Sequence, residues 1–351
     1  MKKSLALAAV LAAVLAPVLV ACGGDDGASA PESLTIVAYD SFTPSEGIFD
    51  EFTKETGIKV EVVTGGDAGE LVAKAVLTAG QPEGDVLWGV DNTLMSRALE
   101  ADVFAPHRST HVDDLDPQAL ALVTDDLLTP VDTGDVCVNY DKAWFDDKGI
   151  TPPASLADLI KPDYKGLLVV QNPNTSSPGL AFLLATIAQF GENSWQDYWS
   201  SLRDNDVKIV DGWTEAYTVE FSGSSGKGSR PLVVSYASSP PAEVVYSDPP
   251  VSEPPTGVIE STCFRQVEFA GVLRGTEHEE AAGKLVDYLS GPVFQADLPL
   301  TLFVNPANTT VELPQVFTDF AVQPTAPLSI DPAEIEANRT TWLEAWRAAA
   351  L

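Results

Sequence analysis

The segment Leu34-Thr-Ile-Val-Ala-Tyr39 is a short apolar run of β type, and it opens an alternation of strand and helix patterns. A helical pattern follows at 48–56, and the next β run covers 58–63. A second helical pattern at 70–77 leads to the strand pattern Asp85-Val-Leu-Trp-Gly89. Because crossover helices connect parallel strands, this order predicts a parallel α/β sheet.

The same alternation returns after Thr151, with strand and helix patterns at 167–171, 178–190, 207–210, 214–221 and 231–236. Two extended runs, 128–140 and 258–273, lie at the two ends of this second block. Two such crossings indicate that one lobe is inserted into the other, with a hinge in the crossings. The fold class predicted is therefore α/β, with two lobes and a ligand cleft between them.

The predicted boundaries follow from these patterns. Residues 34–134 and 264–351 form lobe I, and residues 135–263 form lobe II. The chain ends in a helix whose start carries Asp331 as N-cap, proline at the first position and Glu334 at the third. Trp342 and Trp346 give that helix an apolar face for packing, and the pattern leaves open which lobe it packs on.

Composition restricts the function. The 351 residues are 45% hydrophobic and 20% charged, a globular balance that excludes disorder as the main state. The formal net charge of −31 would repel a polyanion, so nucleic acid is not expected as a partner. An acidic surface is compatible with a cationic small ligand, although it also serves solubility alone.

The N-terminus has the pattern of an export signal. Lys2 and Lys3 precede an apolar run that ends in Leu19-Val-Ala-Cys22, so residues 1–21 are predicted to be a signal peptide. Leu-Val-Ala-Cys resembles the bacterial lipobox, which predicts lipidation of Cys22 and anchoring to the extracytoplasmic face of the cell membrane. Residues 22–33 are rich in Gly, Asp, Ala and Ser and are predicted to be a flexible tether.

Two cysteines remain, Cys137 and Cys263. Both lie in β-type runs of a chain predicted to be exported to an oxidising compartment, which favours a disulfide between them. The alternative is two separate buried thiols. The loop that the bond would close exceeds a hundred residues, and the chain-entropy contribution for such a loop is about 4 to 5 kcal/mol.

Catalytic and metal-binding patterns are absent from the sequence. The three histidines, His107, His111 and His278, lie in no metal-ligand or nucleophile motif. The sequence also contains no HExxH, GxSxG, Walker A or GxGxxG signature. A binding protein without cofactor or metal is therefore favoured over an enzyme.

Aromatic and hydroxyl residues instead cluster at the carboxyl ends of predicted strands, where open α/β sheets bind ligands. The clusters are Tyr39-Asp-Ser-Phe42, Asn172-Pro-Asn-Thr-Ser-Ser-Pro-Gly-Leu180, Asp211-Gly-Trp-Thr-Glu-Ala-Tyr217 and Ser235-Tyr-Ala-Ser-Ser-Pro240. Singly, each residue could be a helix cap or a core residue. Together the four clusters predict a binding site.

These clusters, with Asp85-Val-Leu-Trp-Gly-Val-Asp-Asn92 and Trp342-Leu-Glu-Ala-Trp346, resemble the thiamine-binding receptors of bacterial ABC transporters. The resemblance runs in order over residues 34–346. It implies a type II periplasmic-binding-protein fold that closes on thiamine, thiamine monophosphate or thiamine diphosphate and delivers it to an ABC permease. The protein is expected to act as a monomer.

The resemblance also implies site residues. The phosphate or hydroxyethyl end of the ligand would meet Asp67, Ala68, Ser176, Ser177, Trp213, and the segment Tyr236, Ala237, Ser238, Ser239 and Pro240. The ligand rings would lie near Tyr39, Tyr236 and Phe303, with Asp40 and Ser41 beside them. The chemistry agrees, because aromatic faces attract a thiazolium cation and the N-terminus of a helix suits phosphate.

The chain departs from that family at three positions. It has Ala68 where relatives often have glycine, Ala242 where they have tyrosine, and Phe303 where they have tryptophan. Fewer strong aromatic partners leave affinity and the preferred phosphorylation state open. Receptors for ferric ion or a polyamine-like cation remain alternatives, although Tyr236-Ala237 lacks the adjacent tyrosine pair of iron receptors. A secreted enzyme of unrecognised mechanism is the remaining alternative.

Overall fold

The computed structural model describes residues 31–123, 125–224 and 227–351. The predicted signal peptide, Cys22 and residues 22–30 of the predicted tether lie outside the described residues. Residues 31–351 form one compact unit, and the first strand already begins at Ser33. In the described part of the chain, no helix is long and apolar enough to cross a membrane.

Strands alternate with helices along most of the chain. The strands are β1 Ser33–Ala38, β2 Lys59–Thr64, β3 Val86–Asp91, β4 Phe104–Ala105, β5 Thr129–Thr133, β6 Val136–Asp141, β7 Leu168–Gln171, β8 Lys208–Val210, β9 Leu232–Tyr236, β10 Thr256–Phe264, β11 Val267–Leu273 and β12 Asn305–Pro306.

The helices follow the same order along the chain. They are α1 Asp50–Thr56, α2 Ala68–Leu77, α3 Met95–Glu100, α4 Pro117–Leu120, α5 Lys142–Lys148, α6 Ser177–Phe190, α7 Trp195–Asp204, α8 Trp213–Glu215, α9 Pro240–Val245, α10 Glu279–Ser290, α11 Pro292–Gln295, α12 Leu298–Thr301, α13 Gln315–Phe320 and α14 Pro332–Ala350. A π-helical turn, Ala216–Glu220, directly follows α8.

Within the described residues, the strands form two separate sheets. The first has the order β12-β5-β11-β3-β1-β2, with β4 also paired to β11. The second has the order β10-β6-β9-β7-β8. Strand β3 is buried along its whole length, whereas β1 buries alternate residues, Leu34, Ile36 and Ala38. Both sheets therefore carry the apolar residues that a packed α/β core requires.

The sheets are mixed, which differs from the parallel sheets predicted from the order of the elements. The pairs β1–β2, β1–β3, β7–β8 and β7–β9 are parallel. The crossing strands enter each sheet antiparallel, as in β11–β3, β11–β5, β6–β9 and β10–β6. The reason is that β5 continues into β6, and β10 into β11, through short connections between the sheets and not through crossover helices.

Two connections join the sheets. Gly134 and Asp135 link β5 to β6, and Arg265 and Gln266 link β10 to β11. Arg265 Nε lies 2.7 Å from Asp135 Oδ1, so an ion pair joins the two connections. The lobe boundaries at 134/135 and 263/264 remain a prediction, and these connections are consistent with them.

A disulfide joins Cys137 in β6 to Cys263 in β10, immediately beyond the connections. The two strands are antiparallel neighbours, which brings the two cysteines together. The disulfide predicted from the sequence is therefore confirmed, and the alternative of two separate thiols is wrong.

The C-terminal helix α14 contacts elements of both predicted lobes. Trp346 packs edge-on against Trp199 of α7, with ring centroids 5.7 Å apart, and Arg203 Nη1 donates to Ala349 O at 2.8 Å. Near its start, Glu336 accepts a hydrogen bond from Ser96 of α3. Trp342 and Trp346 are buried, as their spacing predicted.

Candidate functional site

Residues from the two sheets meet where the strands of both end, and we call this group the junction. Its members are Tyr39, Asp67, Asp91, Asp132, Ser177, Trp213, Tyr236, Gln266 and Glu268. Tyr39 follows β1, Asp91 ends β3, Ser177 opens α6 and Tyr236 ends β9. Strand ends place their side chains at one edge of each sheet, which is where α/β folds collect ligands.

Asp67 connects three helix starts across the junction. It is the N-cap of α2, and its Oδ1 accepts from Ala68 N at 2.6 Å and from Ser177 N at 3.4 Å. Its Oδ2 accepts from Trp213 N at 2.8 Å. Burial raises the pKa of Asp67 to about 6, against the opposing effect of the hydrogen bonds from Trp213 and Ala68. The sequence predicted that free backbone N–H groups at the start of α6 would hold an anion. In the structure, the Asp67 carboxylate accepts from one of them, Ser177 N.

Ser177 is held by a buried polar network. Its hydroxyl donates to Asp91 Oδ2 and accepts from Gln266 Nε2 at 2.7 Å. Gln266 Nε2 also lies 2.9 Å from the same Asp91 oxygen. Asp91 Oδ1 in turn accepts from the backbone N–H and the hydroxyl of Thr93. The network couples the start of α6 to β3 and to the connection before β11.

Aromatic rings lie close to the backbone in the junction. A Cβ on Gly89 would come within 2.4 Å of the Tyr39 ring, and one on Gly134 within 3.1 Å of the Tyr236 ring. Gly89 also has φ +97, a conformation that glycine adopts without strain. Both tyrosines are half-buried, and burial raises the pKa of each hydroxyl well above its ordinary value, so both stay neutral donors.

Trp213 lies next to Tyr236, with ring centroids 6.4 Å apart. It stacks on Tyr217 at 5.0 Å with an interplanar angle of 12°, and its Nε1 donates to Ser235 Oγ at 2.9 Å. These contacts fix the orientation of the indole, so it forms a rigid part of the junction.

Three carboxylates form a row across adjacent strands, and we call Asp132, Glu268 and Asp91 the acid row. Glu268 of β11 is the register partner of Asp132 in β5 and of Asp91 in β3. Like charges directly opposite each other destabilise a sheet. Sequence reasoning missed all three residues, and the available signal was a charged residue inside an otherwise apolar crossing strand, as in Val267-Glu-Phe-Ala270.

The acid row is buried and electrostatically strained. Asp91, Asp132 and Glu268 are no more than 5% exposed. Burial raises the pKa of Asp132 to about 8. Burial, followed by the charges of Asp132 and Asp91, raises the pKa of Glu268 well above its ordinary value. Neighbouring buried carboxylates of this kind titrate as a group and retain a proton near neutral pH.

The other predicted site residues have varied positions. Asp40 is exposed and accepts from Thr214 Oγ1 at 3.3 Å, and Ser41 is half-buried in the turn after β1. Ala68 is buried at the start of α2, and Ser176 is the N-cap of α6. The structure therefore brings Asp40, Ala68 and Ser176 to the border of the junction.

The residues that follow β9, 237–240, contact two different parts of the molecule. Ser239 Oγ lies 2.9 Å from Ser235 Oγ and accepts from Tyr236 N at 3.1 Å, while Ser238 Oγ is buried without a partner among the described residues. Ala237 instead packs against the disulfide. Pro240 is buried at the first position of α9. Ala237 can thus contribute only backbone atoms to a ligand.

Phe303 packs edge-on against Tyr246, with ring centroids 5.7 Å apart. Tyr246 also donates its hydroxyl to Leu300 O at 3.2 Å. Tyr246 follows α9, four residues after the Ala242 that replaces a tyrosine of the resembling family. An aromatic residue missed in the sequence thus lies beside Phe303.

The fold and the junction define a class of protein that binds a small solute between two α/β lobes. The chain belongs to the family of bacterial extracellular solute-binding proteins, whose model matches residues 84–326. It is an extracytoplasmic solute-binding protein.

Relatives within this class are named for thiamine. The chain is 30% identical over 327 residues to the thiamine-binding periplasmic protein of Brucella suis, covering 92% of this chain and 93% of the relative. It is also similar to a solved periplasmic thiamin binding protein, with a TM-score of 0.80, 26% identity and coverage of 91% and 96%.

The ferric ion-binding protein A of Pasteurella haemolytica shares the fold, with a TM-score of 0.70, 17% identity and coverage of 91% and 98%. The fold expected from the sequence is thereby confirmed. Because the thiamine relatives are named as binding proteins, they support a role that is not enzymatic.

Proposed function

We propose that this protein is a lipid-anchored receptor that binds thiamine or its mono- or diphosphate at the junction and delivers it to an ABC permease. The observation that carries the proposal is the pairing of neutral aromatic rings with buried carboxylates. Tyr39 Oη donates to Glu268 Oε2 at 3.0 Å, so an aromatic side chain and a buried carboxyl group are in direct contact. A thiazolium is a permanent cation, which both kinds of group attract.

The relatives named for thiamine support the choice of ligand, since they cover more than nine-tenths of this chain. The start of α6 offers hydroxyls from Ser176 and Ser177 for the hydroxyethyl or phosphate end. Both serine hydroxyls are buried at the start of a 14-residue helix. This end of the ligand would take over contacts that Asp67 now makes.

Calorimetric titration of the purified protein with thiamine, its two phosphate esters, spermidine and ferric citrate tests the proposal. We expect saturable binding of at least one thiamine form, and weaker or undetectable binding of spermidine and iron. Absence of binding by every thiamine form would reject thiamine as the ligand.

A receptor for another cation is the second candidate, and the acid row favours it as much as it favours thiamine. Carboxylates attract any desolvated cation, including a polyamine. Tight binding of spermidine with no thiamine binding would select this candidate.

The lipid anchor is tested separately at Cys22. We expect Cys22→Ala to release the protein from the membrane, because the lipid would be attached to that cysteine, while affinity for thiamine stays unchanged. Membrane fractionation after a high-salt wash measures the release, and a membrane-bound variant would contradict the anchor.

A further inference from the structure

Asp132 and Glu268 are direct cross-strand neighbours under the aromatic rings of the junction. Tyr39 Oη donates to Glu268 Oε2 at 3.0 Å. The register also shifts at Glu268 on the β5 side, a local bulge of the kind that re-aims side chains beside functional sites. The pair therefore faces the junction and not the apolar core.

Several buried acceptors lack a hydrogen-bond donor here, and one buried donor, Trp88 Nε1 beside Tyr39, also lacks a partner. Among the described residues, no N–H, alcohol or phenol group donates to either carboxylate oxygen of Asp132, whose hydrogen-bond contact is with the Glu268 carboxyl; Gln266 Oε1 has no donor. The Asp132 and Gln266 side chains are each 1% exposed. A buried acceptor without a donor costs free energy, so the complement that suits this site is a donor or a positive charge.

In the part of the chain that the structure describes, the charged and titratable groups around the pair include no compensating cation. Four groups face the pair or the two tyrosines beside it. They are Tyr39 after β1, Tyr236 at the end of β9, Asp91 at the end of β3 and Asp67 at the start of α2. Arg265, three residues before Glu268 in the chain, is paired with Asp135 at 2.7 Å.

We propose that Asp132 and Glu268 are the specificity-determining pair for the charge of the ligand, and that a bound cation replaces the proton that the two carboxyls share. This inference rests on the proposed function, because it assigns the cationic part of that ligand to a place in the same site. The carboxyl proton leaves to solvent, and no bond of the ligand forms or breaks.

Two carboxylates at hydrogen-bond range can contact each other favourably only when one carries a proton. Burial raises the pKa of both groups, so the ligand-free pair retains a proton near neutral pH. A cation beside the pair favours the ionised form and lowers that pKa. Binding therefore releases a proton, and affinity rises with pH until the free pair is itself ionised.

The test is calorimetric titration of the purified protein with thiamine between about pH 6 and pH 8, in buffers of different ionisation enthalpy. Thiamine is used because a phosphate ester titrates in the same range. We expect release of up to about one proton and an affinity that rises by up to about tenfold per pH unit.

Variants assign the proton to the pair. Asp132→Asn and Glu268→Gln should each reduce proton release and flatten the pH profile, with weaker binding of thiamine at about pH 8, and the double variant should abolish the release. Glu280→Gln is the matched control, because it removes one carboxylate from the exposed face of α10 and should leave both proton release and the profile unchanged.

The outcomes separate this inference from the proposed function. Thiamine binding to the wild type without proton release overturns the inference and leaves the function in place, and this result needs no variant to fold. Proton release that is unchanged in both single variants, or that persists in the double variant, also overturns it. Absence of thiamine binding at every pH overturns the proposed function, and proton release with spermidine would then retain the pair as a cation site.

Discussion

Individual side chains at the junction differ in how completely their charges are balanced. Asp67 accepts three backbone hydrogen bonds, one each from the starts of α2, α6 and α8. Asp91 is similarly satisfied by Thr93, Ser177 and Gln266. No N–H, alcohol or phenol group among the described residues donates to Asp132. A protein that retains such a group gives up stability for it, which is characteristic of functional sites.

Asp67 bears on the choice between thiamine and its phosphates. Its carboxylate lies where the start of α6 would hold an anion, so it should repel a phosphate. We expect Asp67→Asn to raise the affinity for thiamine monophosphate relative to thiamine by about 3- to 10-fold, the effect of one removed charge in a partly screened site. Parallel titrations of both ligands at one pH measure the ratio.

Asp146→Asn is the matched control for this variant, since Asp146 is exposed on α5 and is not a member of the junction. It should leave the ratio near its wild-type value. A ratio equal in Asp67→Asn and wild type would show that Asp67 does not select between the ligands.

Tyr236 tests the aromatic contribution. Its ring lies against Gly134 and beside Trp213 in the junction, at the margin of the main hydrophobic core. We expect Tyr236→Ala to weaken thiamine binding by about 1 to 3 kcal/mol, the usual loss for a desolvated aromatic anchor, with a small effect on folding. Titration calorimetry and thermal unfolding measure the two effects, and unaltered affinity would remove Tyr236 from the site.

Among the secondary-structure elements, the crossing strands and α14 link the two predicted lobes. Strands β5 and β11 bring the acid row into the first sheet, while β6 and β10 carry the disulfide in the second. Helix α14 touches α3 and α7, elements of the two predicted lobes. The C-terminal helix thus contacts both predicted lobes, whereas the sequence left open which of them it packs on.

Trp346 shows how much this helix contributes to stability. It is fully buried against Trp199, so its removal leaves a large cavity. We expect Trp346→Ala to lower the free energy of unfolding by about 3 to 5 kcal/mol. Chemical denaturation measures the change, with Leu77→Ala as control because Leu77 is 85% exposed on α2. A loss no greater than that of Leu77→Ala would contradict the packing role.

At the scale of the whole molecule, two short connections join the two sheets. An ion pair links these connections, and a disulfide lies beside them within the second sheet. The connections carry Gly134 and Gln266, which also border the junction. We therefore expect a ligand that contacts the junction to contact the region about which the predicted lobes move, and so to couple binding to closure.

The disulfide should stabilise the fold through the unfolded state. Cys137 and Cys263 are separated by 126 positions, and a cross-link over such a loop contributes about 4 to 5 kcal/mol in the chain-entropy estimate. We expect the double variant Cys137→Ala and Cys263→Ala to lose about that free energy of unfolding. Denaturation of wild type and variant measures it, with Cys22→Ala as control. Labelling of both thiols in unreduced native protein would contradict the bond.

The elements were predictable because they depend on local patterns. The run Leu34-Thr-Ile-Val-Ala-Tyr39 was predicted from its apolar β-type residues, and the structure has β1 there. The helix at 48–56 was predicted from its periodicity and ends before Gly57, which adopts the left-handed conformation that closes α1. The disulfide was predicted from the export signal and from the two extended runs that contain the cysteines. Asp331 as N-cap and the buried face of Trp342 and Trp346 were equally local.

The sequence by itself determined most of the longer strands, the helices α1, α2, α6 and α14, the crossing segments and the strand-end clusters, since each depends on residues close together in the chain. Helix α7 and several shorter elements were not predicted. Only the tertiary structure decided that Glu268 lies between Asp91 and Asp132, residues 177 and 136 positions away from it, because strand register brings distant carboxylates together. It also decided that Asp67 meets Ser177 and Trp213, and that Phe303 packs on Tyr246. Burial then raised the pKa values of the acid row, an effect that a carboxylate acquires only from its folded surroundings.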